Sequence, residues 1–308
     1  MIQNYIKAAR LRTLPLSISG VIVGTVLGNY HFYNVALSND SLSIFSSPIF
    51  WFAILTTIGF QVISNFANDY GDGVKGTDKN RLGEARMVSS GAITAKQMKR
   101  AIVIATILTL ISALFLIFFS FGCQNFKYSI LFFLLGITAI IAAIKYTVGN
   151  SAYGYSGFGD LFVFLFFGLL SVVGSYFLFT KQLDLIVFLP AISIGFLSTA
   201  VLNLNNLRDR EEDAKNNKNT MVVKLGVLKA KKYHYFLIFG ALFCAILFSF
   251  FKFSSIYQFI YLIAFIPLLK NVKKVALNDN PRELDGELKK VALSTFLFAI
   301  LFSVSHFF

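Results

Sequence analysis

The stretch Phe60-Gln61-Val62-Ile63-Ser64-Asn65-Phe66-Ala67-Asn68-Asp69-Tyr70-Gly71-Asp72 decides how this chain is read. It closes an apolar run that begins at Pro48, and the run from 48 to 68 has the roughly 20 residues needed to cross a hydrocarbon core about 30 Å thick. Gln61, Asn65, Asn68 and Asp72 follow i, i+4, i+7, i+11 spacing. A helix carried through to Asp72 would hold them in one polar stripe running into the bilayer. An ionised side chain at mid-bilayer costs about 2.5–3.5 kcal/mol even on the lenient scale, so polar residues stacked there mark a functional site.

Outward from this segment the chain repeats the pattern of long apolar runs. Nine spans are expected, at 13–30, 48–68, 101–121, 128–146, 160–180, 184–205, 234–251, 254–270 and 290–308. The first lacks a small-residue cleavage site and is read as a span, not as a signal peptide. Of the 308 residues, 56% are hydrophobic and 14% charged, with 36 Phe. The mean hydropathy is +0.69 and the pI about 9.7. That composition excludes a disordered chain, a disulfide scaffold and a soluble nucleic-acid binder, despite a net charge of +13. Cys123 and Cys244 lie in or beside apolar runs and carry no redox signal. The fold class is therefore all-α, a polytopic membrane protein of nine transmembrane helices.

The bases are distributed by topology. They sit at the amino terminus and in the segments after spans 2, 4, 6 and 8, leaving only Lys127, Lys181 and Lys252 on the other side. The positive-inside rule then puts the amino terminus in the cytoplasm and Phe308 outside. Thirteen of the 15 acidic residues share the cytoplasmic side. Those after spans 2 and 6 mark the place to look for chemistry.

Span 6 ends as span 2 does, in Asn203-Leu204-Asn205-Asn206-Leu207-Arg208-Asp209-Arg210-Glu211-Glu212-Asp213. Asn68-x3-Asp72 matches Asn205-x3-Asp209 at an offset of 137. The chain reads as a single membrane domain over 1–308, with halves of four spans at about 13–146 and 160–270 and a ninth helix at 290–308 left over. Carboxylates at i and i+4 share a helix face. With oxygen donors and no His or Cys nearby, Mg²⁺ is the natural ion, held jointly by one or two carboxylates and a phosphate. Neighbouring Lys and Arg complete an anion clamp, so the two clusters fit a diphosphate between them.

These motifs resemble the UbiA superfamily of intramembrane aromatic prenyltransferases, with NDxxDxxxD after the second helix and DxxxD after the sixth. Here the first reads Asn68-Asp69-Tyr70-Gly71-Asp72, with its last acid displaced to Asp78, and the second Asp209-Arg-Glu-Glu-Asp213. The displaced form, together with Leu202–Asp209, Lys218–Gly226 and Tyr146–Asp160, is similar to the menaquinone branch. The likeness runs from about Ala8 to Gly226 and thins in the last three spans. It departs locally at Ser151-Ala152, where Lys or Pro is expected.

The resemblance implies a UbiA-type bundle, in a bacterial inner membrane, with the active site facing the cytoplasm. It implies transfer of a polyprenyl group from polyprenyl diphosphate to 1,4-dihydroxy-2-naphthoate, with CO₂ and diphosphate lost, giving demethylmenaquinone in its reduced, dihydroxy form. Mg²⁺ is the implied cofactor and no protein partner is required. Asn68, Asp69, Asp72, Asp78, Asp209 and Asp213 are the expected metal ligands, and Asp72, Asp209 and Asp160 the expected catalytic acids. Lys79, Arg81, Arg86, Lys215 and Lys218 are the expected diphosphate clamp. Asn65, Tyr70, Tyr146, Tyr153, Tyr155 and Asn205 are candidates for the acceptor and carbocation pocket, where aromatic faces attract a cation. His31, His234 and His306 sit at span edges and read as interfacial. Two alternatives remain at this point: another aromatic acceptor such as 4-hydroxybenzoate, and an ion or lipid transporter, although a carrier would place its polar site at the midplane.

Overall fold

The computed structural model describes residues 2–36, 44–77, 86–149 and 152–305, and every regular element among them is helical. The chain opens with a short amphipathic helix α1 (Ile2–Ala9) and then forms α2 (Leu14–Ala36), α3 (Pro48–Lys75), α4 (Ala95–Phe121) and α5 (Phe126–Lys145). A rod over 159–180 follows, built from α6 (Gly159–Val163), a π-helical stretch Phe164–Gly174 and α7 (Ser175–Thr180). Next come α8 (Phe188–Lys215), the single turn α9 (Met221–Leu225) and α10 (Val227–Phe251). A 3₁₀ segment Ile256–Ala264 leads into α11 (Phe265–Leu277), and α12 spans Leu284–Val304.

Seven helical rods among the described residues are long and apolar enough to cross a membrane, which makes this a multi-pass membrane protein. They match the first seven expected spans. The eighth, expected at 254–270, is broken between 3₁₀ and α geometry, and its α-helical part has 13 residues. The ninth, expected at 290–308, falls on α12, whose first turns carry Asp285, Glu287, Lys289 and Lys290.

Local chemistry explains the ends that matter. Pro48 starts α3 with no amide to leave unpaired, and Gly76 ends it in the left-handed region at φ 72. Thr94 and Gln97 exchange bonds as a capping box that opens α4. Both α3 and α8 run well past the bilayer lengths expected for them, so Asp69 and Asp72 of the first motif and Asp209 and Asp213 of the second lie on helix.

α8 is the centre of the bundle. Its apolar residues, with those of α10, α11, α12 and the π-helical stretch, form the largest buried cluster, including Leu197, Leu204, Phe265 and Phe298. The π-helical stretch and α8 meet backbone to backbone: a Cβ on Gly168 would lie 2.6 Å from the Cα of Gly195, so any larger residue would push the rods apart. His234 is fully buried between α10 and α11, where its Nε2 meets Asn271 Oδ1 at 2.8 Å; the expected interfacial position is corrected by the packing of α11 against α10.

Candidate active site

Two cavities meet between the helices. A polar one of about 230 Å³ is bordered by Asn68 and Asp72 of α3, Asn205, Asn206 and Arg208 of α8, and the cations Arg10, Arg12, Arg86, Lys218 and Lys289. An apolar one of about 310 Å³ extends among α2 to α5 and the π-helical rod, with Phe60, Phe132, Phe162 and Phe166 in its wall. Gln61, Asn68, Tyr146, Val163, Phe167 and Leu202 line both, so the cavities adjoin at that ring of residues. Gln61, Asn65, Asn68 and Asp72 each border one or both of them.

Asp72 is buried. Its Oδ1 accepts from the Tyr155 hydroxyl at 2.7 Å and its Oδ2 faces Arg86 Nη2 at 3.4 Å. Breaking a buried pair of this kind costs about 3–5 kcal/mol, because the remaining charge is stranded in low dielectric. Asp69, one turn back and off the stripe, borders neither cavity. Its two carboxylate oxygens accept from the backbone amides of Met87 and Val88, both at 2.9 Å. Asp69 thus fixes the turn that delivers Arg86 to Asp72.

On α8, Arg208 is buried and binds its neighbour Asp209 with two parallel bonds, Nε to Oδ1 at 2.7 Å and Nη2 to Oδ2 at 2.8 Å. The same guanidinium donates to Asn205 Oδ1 and to Asp285 on α12. Asp213 pairs with Lys218 at 3.5 Å. Asp209 and Asp213 therefore reach the polar cavity through Arg208 and Lys218, which border it directly.

The loop over 152–158 joins the two clusters. Tyr155 bonds Asp72 through its hydroxyl, its carbonyl accepts from the Asn219 amide at 3.0 Å, and its ring lies under Lys75 Nζ at 4.0 Å and near Lys218 Nζ at 5.5 Å. Asn216 of the second cluster donates to the Thr77 carbonyl of the first. Gly154 makes the loop fit: a Cβ there would lie 2.6 Å from the Tyr146 carbonyl oxygen. Tyr146 and Tyr153 line the apolar cavity, edge to face with centroids 5.3 Å apart, and Tyr153 stacks on Phe162. Burial pushes the Tyr153 phenol well above its ordinary pKa, so it stays neutral at any working pH.

Other expected residues go elsewhere. Tyr70 packs with the apolar cluster around Phe66 and Met98, not in a cavity wall. Lys215 is exposed and bonded to Glu212 at 3.0 Å. Asp160 is buried at the start of α6 and borders neither cavity; the residue capping α6 is Phe158. Asp78, Lys79 and Arg81 lie outside the described residues. Sequence reasoning missed Arg10, Arg12, Arg208, Asp285 and Lys289. The two amino-terminal arginines were legible only as topology, and Asp285 and Lys289 carry no local motif.

The donor chemistry fits Mg²⁺. Asn68, Asp72 and Asn205 offer hard oxygen atoms at one cavity, and no group of three or more His, Cys, Asp or Glu among the described residues could form a closed cage. Mg²⁺ needs no such cage, since it keeps waters and shares one or two carboxylates with a phosphate.

The pattern of the UbiA prenyltransferase family matches residues 30–286. The chain belongs to this family. It is 39% identical over 306 residues to the 1,4-dihydroxy-2-naphthoate octaprenyltransferase of Escherichia coli K12, covering 99% of this chain and 95% of that one. It is 40% identical over 299 residues to the enzyme of the same name from Haemophilus influenzae, covering 97% and 94%. Among solved structures, a UbiA homolog from Archaeoglobus fulgidus bound to DMAPP and Mg²⁺ superposes with a TM-score of 0.59 at 15% identity, over 98% of this chain and 99% of that one. Digeranylgeranylglyceryl phosphate synthase superposes with a TM-score of 0.60 at 18% identity, covering 99% and 98%. These likenesses establish the UbiA fold.

Proposed function

We propose that the protein transfers a polyprenyl group from polyprenyl diphosphate to 1,4-dihydroxy-2-naphthoate, releasing CO₂ and diphosphate, in menaquinone biosynthesis. The observation that carries this reading is the junction of the two cavities. A cation-rimmed polar chamber holds a diphosphate, the adjoining apolar chamber takes the prenyl chain, and the bond between them lies at Asn68 and Tyr146. The long identity to enzymes named for this acceptor supports it further.

In this mechanism Arg86 and Lys218 orient the diphosphate and absorb charge as the allylic C–O bond breaks, its electron pair leaving on oxygen. When bound, Mg²⁺ would supply the rest of that neutralisation, held by the oxygens of Asn68 and Asp72 that border the polar cavity, while Asp209 and Asp213 hold Arg208 and Lys218 there. Tyr155 holds Asp72 in place through its hydroxyl. The neutral rings of Tyr146 and Tyr153 keep water from the allylic carbocation and attract it by their faces. The naphthoate ring then bonds to the allylic carbon and its carboxylate departs as CO₂. Asp160, which borders neither cavity, lies beside Tyr146 and faces the Tyr233 phenol, and is assigned to position Tyr146 in the cavity wall.

The same reading places nine spans in a bacterial inner membrane, as one domain of two four-helix halves plus α12. Its amino terminus and active site face the cytoplasm, supported by the segregation of Lys and Arg. The test supplies purified protein with one polyprenyl diphosphate, Mg²⁺, and 1,4-dihydroxy-2-naphthoate, 4-hydroxybenzoate or homogentisate in turn. Product with dihydroxynaphthoate is expected. Product only with 4-hydroxybenzoate overturns the acceptor, and no product with any of them overturns the reaction.

A further inference from the structure

The helix left outside the two sequence halves turns out to wall the polar cavity. Asp285, Leu288, Lys289 and Ala292 of α12 all border it, an i, i+3, i+4, i+7 set that occupies one helix face. What fixes that face is a network on the other side. Glu287 is buried, accepts from Asn271 at 2.8 Å and Lys290 at 2.7 Å, and pairs with Lys274 at 3.5 Å. Asn271 in turn meets the buried His234, so α12 is tied to both α11 and α10. Of the neighbouring lysines, Lys274 and Lys290 are engaged by Glu287, while Lys289 makes no ion pair with a described residue and stands at the cavity.

Asp285 has a different job. It binds Nη1 of Arg208, the buried guanidinium whose other nitrogens hold Asp209 and Asn205. Arg208 is thus shared by two carboxylates, and the three groups together carry one net negative charge. Without Asp285 the Arg208–Asp209 pair would be neutral, and the guanidinium would be held from one side only.

We propose that α12 belongs to the diphosphate site, with Lys289 as a cation that contacts the diphosphate and Asp285 as a positioning residue for Arg208 and, through it, Asp209 and Asn205. This rests on the prenyl-diphosphate reading above. Long cationic side chains grip phosphate oxygens as point charges, and a lysine on a helix that is itself braced loses less freedom in doing so.

The experiment uses the full chain in detergent, with two readouts: steady-state prenyl transfer, and the thermal stabilisation given by inorganic diphosphate with Mg²⁺ in the absence of any acceptor. Lys289→Met should raise the KM for prenyl diphosphate about tenfold, the scale of one charge-assisted contact, and leave the KM for the acceptor unchanged. The same variant should need about tenfold more inorganic diphosphate for equal stabilisation, and Lys289→Arg should restore both values. Lys273→Met, an exposed lysine of α11 that borders neither cavity, should leave both at wild type. Asp285→Asn should lower kcat about tenfold with the KM for acceptor unchanged, and Asp285→Glu should recover it. Wild-type KM and diphosphate response in Lys289→Met overturn the contact, and a loss that Lys289→Arg does not recover assigns Lys289 to packing and overturns it too. Wild-type kcat in Asp285→Asn overturns the positioning role. A wild-type protein that responds to diphosphate but prenylates another acceptor refutes only the naphthoate reading, whereas one with no diphosphate response removes both readings.

Discussion

Asp72 at the end of α3 and Asp209 at the end of α8 occupy matching places in the sequence repeat, yet they are held in opposite ways. Asp72 borders the cavity and is gripped by partners brought from distant segments, Arg86 and Tyr155. Asp209 is gripped by the residue beside it, and that residue is what borders the cavity. The matching amides differ likewise: Asn68 Oδ1 accepts from Thr147, whereas Asn205 Oδ1 accepts from Arg208. A repeat of residue types is therefore not a repeat of environments. The first half offers a carboxylate to the cavity and the second offers a guanidinium, so the site has an asymmetry suited to a ligand with a metal on one side and bare oxygens on the other.

The pair Asp72→Asn and Asp209→Asn tests whether that asymmetry has weight. Asp72→Asn should lower kcat by about 10²–10³, since it removes a charge directed at the reacting centre. Asp209→Asn should cost less, because Asp285 and Asn205 still hold Arg208. Equal losses measured side by side would show that the two halves act as equivalent ligands and that the difference in surroundings is incidental.

Asp69→Asn sharpens the comparison within α3. An Asn has one acceptor oxygen where two backbone amides now converge, and its NH₂ would face a donor. Leaving one buried amide unsatisfied costs about 1–3 kcal/mol, to be read as a lower melting temperature, with a smaller fall in kcat as Arg86 shifts. A variant with wild-type stability but no Mg²⁺ requirement for prenyl transfer would instead make Asp69 a ligand.

Asp69 also shows what a sequence can and cannot tell. The polar stripe of α3 was legible because helical periodicity is local: Gln61, Asn65, Asn68 and Asp72 share a face whatever the helix packs against. The direction of Asp69 is not local. It depends on the turn at Met87 and Val88, brought back against α3 from 18 residues away. Tyr70 was misplaced for a related reason, since an aromatic on a bundle helix can face packing or cavity, and only the neighbours decide. The π-helical stretch left no signal, because Phe164–Gly174 is apolar but for Ser171 and its close approach to α8 at Gly168 and Gly195 cannot be read from one segment. α12 was legible as an apolar run but not as a wall of the site. Its contribution comes from single residues, Asp285 and Lys289, whose meaning depends on Arg208 lying opposite.

The smallest expected effect concerns the cations of the second cluster, where charge alone does not separate Lys215 from Lys218. Both follow the same acidic helix end, and both would steer a diphosphate from a distance. Lys218 borders the cavity and pairs with Asp213, with its side chain only 15% exposed. Lys215 is 69% exposed and paired with Glu212, its pKa raised by that partner. An exposed pair is screened by solvent and salt, so Lys215→Ala should keep kcat and the KM for prenyl diphosphate within about twofold of wild type. Lys218→Ala should raise that KM by more, because it removes a cation at the cavity and strands the buried Asp213. If the two variants raise KM alike, the cluster works as a diffuse field of positive charge. If only Lys218→Ala does, the site is built of particular contacts, as the asymmetry between α3 and α8 requires.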